Sequence, residues 1–255
     1  MYINLLLTDG AYGGAHLIWI GIVFVIAVSG MVLIGKFKPS LKTLMIIMLC
    51  VSLVSELMKY TYFIQMTYED TGHYVLSKLG LPFQLCSIQP FFILAALLTK
   101  KENVRHTLLA FVFATGVFSG ILPIFIVTIS SCSFASYLAY EYFIYHACLL
   151  TFGLSIVVYK YVDIHAVDLG HTILILLAVF IGSIYMNSML SSGGSFYNFC
   201  FTADAPIDGL PYLNLNQGYV MYILKYVLLA LTLEGLIHLP FIIKDLKAKN
   251  KVIKA

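Results

Sequence analysis

Apolar stretches of about 20 residues, each long enough to cross a bilayer as a helix, alternate with short polar breaks along most of the chain. Seven such runs can be counted, near His16 to Gly35, Thr43 to Gln65, Leu81 to Thr99, Thr107 to Ile129, Ala139 to Tyr159, His171 to Leu190 and Tyr219 to Ile243. The pattern predicts an all-α, polytopic membrane protein: a seven-transmembrane-helix bundle forming a single domain over residues 1–255. No soluble domain, low-complexity tract or internal repeat interrupts it. The inner breaks are short, as between antiparallel neighbours, whereas the segment from Ser191 to Gly218 is long enough for a lid, a re-entrant cover or a simple connector. Gly116 and Gly120 have the spacing that lets two helices approach closely.

Charge adds a direction to this pattern. Lys36, Lys38 and Lys42 follow the first run, Lys100, Lys101 and Arg105 the third, and Lys160 the fifth, with Lys244, Lys247, Lys249, Lys251 and Lys254 in the tail. These are twelve of the fifteen basic residues, and alternating spans bring all of them to one side. Since Lys and Arg near span ends stay cytoplasmic, the N-terminus is expected outside and the C-terminus inside, in a multi-pass protein of the cell membrane. The first run lacks a basic leader and is too long for a signal-peptide core, so it is expected to be retained. Composition agrees, with 61% apolar residues, 11% charged and a mean hydropathy of +0.95. A net charge of +3 fits a basic rim against anionic headgroups. It gives no reason to expect nucleic acid, and no phosphate loop, metal-ligand spacing or cofactor motif is present.

Ionisable groups inside spans are costly and are candidates for function. Counting helix rise from the outer ends, Cys86 lies about 7 Å down, Lys59 and Lys225 about 9 Å and His146 about 10 Å, with Glu56 a turn deeper than Lys59. Each also has a plainer explanation. Glu56 and Lys59 can neutralise each other, Lys225 can snorkel, His146 can bond a neighbouring helix, and Cys86 can be a small apolar filler. Glu234 and His238 read as a local structural pair. Cys132 and Cys200 fall in outer loops, where a disulfide between them is one of two options.

The segment LPFQLCSIQP, Leu81 to Pro90, has its own logic. Pro82 suits a first helical turn, and Pro90 cannot donate to the carbonyl of Cys86, so the backbone there is expected to be partly unsatisfied. Such a break faces protein or a wet cavity rather than lipid. Gln89 shares the face of Cys86 and could serve a developing oxyanion, with Gln84 as a second polar neighbour.

LPFQLCSI resembles the Leu-Pro-x-His-Leu-Cys-Ser segment of the YwaF-like integral membrane proteins, the family of eukaryotic transmembrane protein 164. FATGVFSGILPI is similar to its glycine-rich fourth helix, YEYFIYHACLL to its aromatic segment around one histidine, and SFYNFCFTADAP to its later Asn-Tyr-x-Phe-Leu stretch. The resemblance implies transfer of fatty acyl chains between phospholipids, with Cys86 as nucleophile, His146 as its base and membrane phospholipids as partners, and it implies no cofactor. Two positions depart from the pattern: Gln84 stands where the family has histidine, and Phe196 where it has asparagine. A solute carrier binding through Glu56, Lys59 and Lys225, and a non-catalytic lipid-binding protein, are the rival expectations.

Overall fold

The computed structural model describes residues 12–129, 131–191, 196–206 and 212–254. Seven helices follow in order: α1 Gly14–Phe37, α2 Leu41–Thr71, α3 Leu85–Leu98, α4 Glu102–Phe125, α5 Tyr137–Val158, α6 Asp168–Leu190 and α7 Tyr219–Lys254. Short 3-10 turns lie at Lys78–Gly80 and Phe199–Phe201. Among the described residues there is no strand. The all-helical, multi-pass character expected from the hydrophobic pattern is therefore present.

Of the seven expected spans, one is short as a helix. Six helices are long and apolar enough to cross a membrane, while α3 has 14 residues. That is about 21 Å of helix, short of a hydrocarbon core of about 30 Å. The predicted run over Leu81 to Thr99 starts too early because Leu81 is extended, at φ −63° and ψ 142°, and so is Gln84, at φ −77° and ψ 151°. Pro82 thus precedes the helix rather than occupying its first turn. Other boundaries move outward: α2 continues to Thr71, where Gly72 at φ 72° closes it, and α7 continues through the basic tail. At the start of α2, the Ser40 side chain accepts the amide of Thr43.

Helices α4 and α5 form the centre. Their apolar windows are 67% and 72% buried, against 17 to 28% for the other long helices. Small residues set this contact. A methyl group on Gly120 would lie 2.8 Å from the backbone nitrogen of Leu150, and one on Gly153 would lie 3.1 Å from that of Val117. Around this pair, α1 and α2 pack on α5, while α3, α6 and α7 pack on α4. The outer helices expose Val25, Val28, Val32, Leu174, Ile181, Val220, Leu224 and Leu228, a surface suited to lipid rather than water.

Four contacts gather the basic connections at one end of the bundle. Tyr161 donates to the carbonyl of Pro39, His106 bonds Asp168, Lys244 reaches Asp163 at 2.6 Å, and Asp245 accepts the amide of Ala166. At the opposite end, the segment 196–206 is seated against α3, α6 and α7. Asn187 holds Phe199 through both its amide and its carbonyl, and the hydroxyls of Tyr219, Tyr222 and Tyr226 donate to the carbonyls of Thr202, Phe201 and Cys200. The described part of the segment thus covers this end of the bundle with its polar backbone hydrogen-bonded, as burial requires. The remainder of the expected loop, 192–195 and 207–211, lies outside the described residues.

The disulfide between Cys132 and Cys200 is not formed. Cys132 packs with Trp19, Val127 and Phe143, whereas Cys200 packs with Phe111, Leu176 and Phe180 in a separate core.

Candidate functional site

Because α3 begins at Leu85, Cys86 sits in its first turn, half-buried and packed against the central core. Pro90 removes the helical donor for the Cys86 carbonyl. The donor comes instead from α5: Tyr145 Oη lies 2.9 Å from that oxygen. The unsatisfied backbone expected from the sequence is real, and its partner is a buried tyrosine.

A polar cluster from three helices surrounds this turn. Lys59 Nζ on α2 donates to Glu56 at 2.8 Å and to Ser87 Oγ, beside Cys86, at 2.9 Å. On α5, Glu141 accepts a hydrogen bond from Ser55. Ser55 and Glu56 are neighbours on α2, so Glu141, Glu56 and Lys59 lie together beside the turn that carries Cys86. Glu141 escaped the sequence reading because it stands in an aromatic run near the end of a span. An acidic residue inside a predicted span was signal enough to flag it.

His146 is 4% exposed on α5. Its Nδ1 lies 2.6 Å from the carbonyl of Tyr142, which can only accept, so the ring proton is on Nδ1. That leaves Nε2 as a bare acceptor, and it has no hydrogen-bond partner. No hydrogen bond links Cys86 to His146 among the described residues. The ring is in the tautomer a general base requires, with its lone pair unspent.

The other expected site residues are placed differently. Gln84 spends both ends of its amide on the outer cover, donating to Asn198 O at 3.2 Å and accepting from Cys200 N at 2.8 Å. Gln89 is fully buried and donates to Thr115 on α4 at 2.7 Å, with its carbonyl oxygen unpartnered. Lys225 does not join the cluster. Its ammonium lies 5.6 Å from the ring centre of Tyr212, on α7 at the far side of α4. Equal depth in a bilayer says nothing about azimuth, and α7 packs on α4 and α6 instead of on α2 or α3.

Two shallow apolar grooves lie on the surface near this layer. One, of about 410 Å³, is lined by Val54, Leu57, Met58, Thr61 and Tyr137. The second, of about 380 Å³, runs along Pro82, Phe83, Ile88, Phe91, Ala95 and Leu108. No group of three or more metal-ligating side chains occurs among the described residues.

The family model described as the TMEM164 family matches residues 11–237, nearly the whole chain. Neither a curated protein nor a solved structure matches it.

Proposed function

The chain belongs to the TMEM164 family, and on that footing we propose that it is a membrane lipid acyltransferase that moves a fatty acyl chain between phospholipids of the cell membrane through Cys86. One observation carries this: Cys86 stands at a helix start beside a lysine-bonded serine and two carboxylates, with an unspent imidazole on α5, the helix that also supplies the donor to its carbonyl. In the reaction His146 Nε2 takes the thiol proton, and Cys86 Sγ attacks the ester carbonyl of a phospholipid. The C–O bond breaks, a thioester forms, and the lysophospholipid leaves with the proton from the imidazolium. A second lysolipid hydroxyl then attacks the thioester, its proton passing through His146 back to the thiol. This requires Nε2 to come within reach of Sγ, directly or through one water. Lys59 supplies positive charge near the developing negative one. The apolar grooves are suited to the acyl chains.

The same proposal includes topology. With the basic connections of the spans at one end, and α3 completing its crossing through the non-helical segment before it, seven traverses put the N-terminus outside and the C-terminus in the cytoplasm. Cys86 then opens towards the outer leaflet.

The test is mass spectrometry of the purified protein after incubation with phospholipid. An acyl adduct is expected on Cys86, absent in Cys86→Ser, a substitution that changes little volume and should leave folding intact. No adduct on the wild type, with phospholipid nevertheless retained, would favour the non-catalytic lipid-binding alternative. A carrier needs Glu56, Lys59 and Lys225 around one solute, and Lys225 stands apart from the other two.

A further inference from the structure

Acyl transfer at Cys86 makes no use of Glu234 and His238, four residues apart on α7 in the half of the bundle nearer the basic end. Glu234 is 1% exposed and His238 is fully buried. Neither carboxylate oxygen of Glu234 has a hydrogen-bond partner, and neither does His238 Nε2. His238 Nδ1 lies 3.0 Å from the Glu234 backbone carbonyl, so its proton sits there and Nε2 carries a free lone pair. Between Nδ1 and the carboxylate the distance is 3.7 Å, too long for a hydrogen bond. Phe113 from α4 and Phe241 wall the imidazole, at ring separations of 6.1 and 6.5 Å.

Helix α7 packs on α4 and α6, whose basic-end turns carry Glu102, Arg105 and His106 on α4 and Asp168 and His171 on α6. No Lys or Arg pairs with Glu234 among the described residues. An ionised carboxylate buried without a donor or a cation is strongly disfavoured, and a proton is the one ligand that needs no cavity. A route for it is marked by falling exposure. His106 is partly exposed, and its Nε2 lies 3.0 Å from both oxygens of Asp168, which is itself 2% exposed and begins α6, one of the two helices that pack on α7. His171, half-exposed, flanks Asp168 at 4.0 Å.

We propose that Glu234 and His238 form a proton-binding site, filled from water at the basic end by way of His106 and Asp168. One proton enters and the net charge of the pair rises from −1 to 0. The proton resides on the Glu234 carboxyl, and His238 keeps its own proton on Nδ1, bonded to the Glu234 carbonyl, so the pair ends as a neutral acid beside a neutral imidazole.

Infrared spectroscopy of the full chain in lipid nanodiscs at neutral pH tests this. A protonated-carboxyl band is expected that disappears in Glu234→Gln and persists in Glu141→Gln. In D2O the wild-type band should shift, and His106→Gln should slow the shift about tenfold, the factor carried by one lost hydrogen bond of the path. A spectrum in which Glu234→Gln removes no such band overturns the site. A band that fails to exchange in the wild type, or exchanges equally fast in His106→Gln, overturns its filling from the basic end.

Discussion

Replacing Tyr145 by phenylalanine removes one oxygen and leaves the Cys86 carbonyl, already deprived of its helical donor by Pro90, with no protein partner. A buried carbonyl left in that state costs about 1–3 kcal/mol, while interhelical hydrogen bonds in membrane proteins have measured about 0.6 and at most about 1.7 kcal/mol. Tyr145 is 4% exposed but Cys86 only half-buried, which places the expected loss near 1 kcal/mol. The cause is separable from ordinary packing loss. Pro90→Ala returns an amide four residues beyond Cys86, in a helix continuous from Leu85 to Leu98. In that background the hydroxyl is a second donor to an oxygen already satisfied, so Tyr145→Phe should cost less than about 0.5 kcal/mol. Reversible unfolding in mixed detergent micelles, run as a double-mutant cycle, reads the difference. If Tyr145→Phe is equally costly in the wild-type and Pro90→Ala backgrounds, the tyrosine is packing against α3 rather than replacing a lost backbone bond.

Lys59→Met should destabilise the bundle by about 3 kcal/mol or less, because it strands Glu56 in a site where each partner keeps 15% exposure, and adding Glu56→Gln should recover most of the loss; denaturation in micelles reads both. Gly120→Ala should cost about 1–3 kcal/mol, since its methyl meets the Leu150 backbone at 2.8 Å and only a shift of α4 against α5 relieves it; an unchanged midpoint would show that the helices separate freely. At the basic end, the Lys244 ammonium bonded to Asp163 holds that carboxyl below its ordinary value of 3.8. The ion pair therefore stabilises above that value and is lost as the pH falls through the lowered one, so Asp163→Asn should flatten only this acid limb of the stability profile. Both groups are solvent-exposed, and the difference should fade in high salt.

Span existence was legible because about 20 apolar residues between polar breaks have few other uses. The orphaned carbonyl at Cys86 was legible too, since it follows from proline's missing amide whatever the surroundings. Its donor was not, because Tyr145 is 59 residues away and nothing local marks one tyrosine among eighteen. The cluster was legible in depth but not in azimuth. Rise per residue grouped Glu56, Lys59 and Lys225 at one level, but helix packing separated Lys225 from the other two and brought in Glu141. Length misled at α3, where hydropathy continues through Pro82 and Phe83 although the backbone is non-helical, extended at Leu81 and Gln84 with a tight turn between them.

Gln84 shows how a residue that breaks an expected sequence resemblance can have a physical reason. Its amide presents a donor and an acceptor side by side, and these meet Asn198 O and Cys200 N, two residues apart on the cover. The segment it holds is strained: Cys200 and Phe201 are both left-handed, at φ 51° and 53°, a conformation that costs non-glycine residues of order 1–3 kcal/mol each. Tyr226 and Tyr222 bond the carbonyls of those two residues, and the Cys200 thiol donates to Phe83 O at 3.1 Å. An imidazole carries its two nitrogens on different edges of the ring and cannot present both to neighbouring peptide groups as an amide can. Gln84 therefore belongs to the seating of the cover on the turn that carries Cys86. On α5 the imidazole nitrogen with an unspent lone pair is Nε2 of His146, and it is to this group that the proposed acyl transfer assigns the thiol proton.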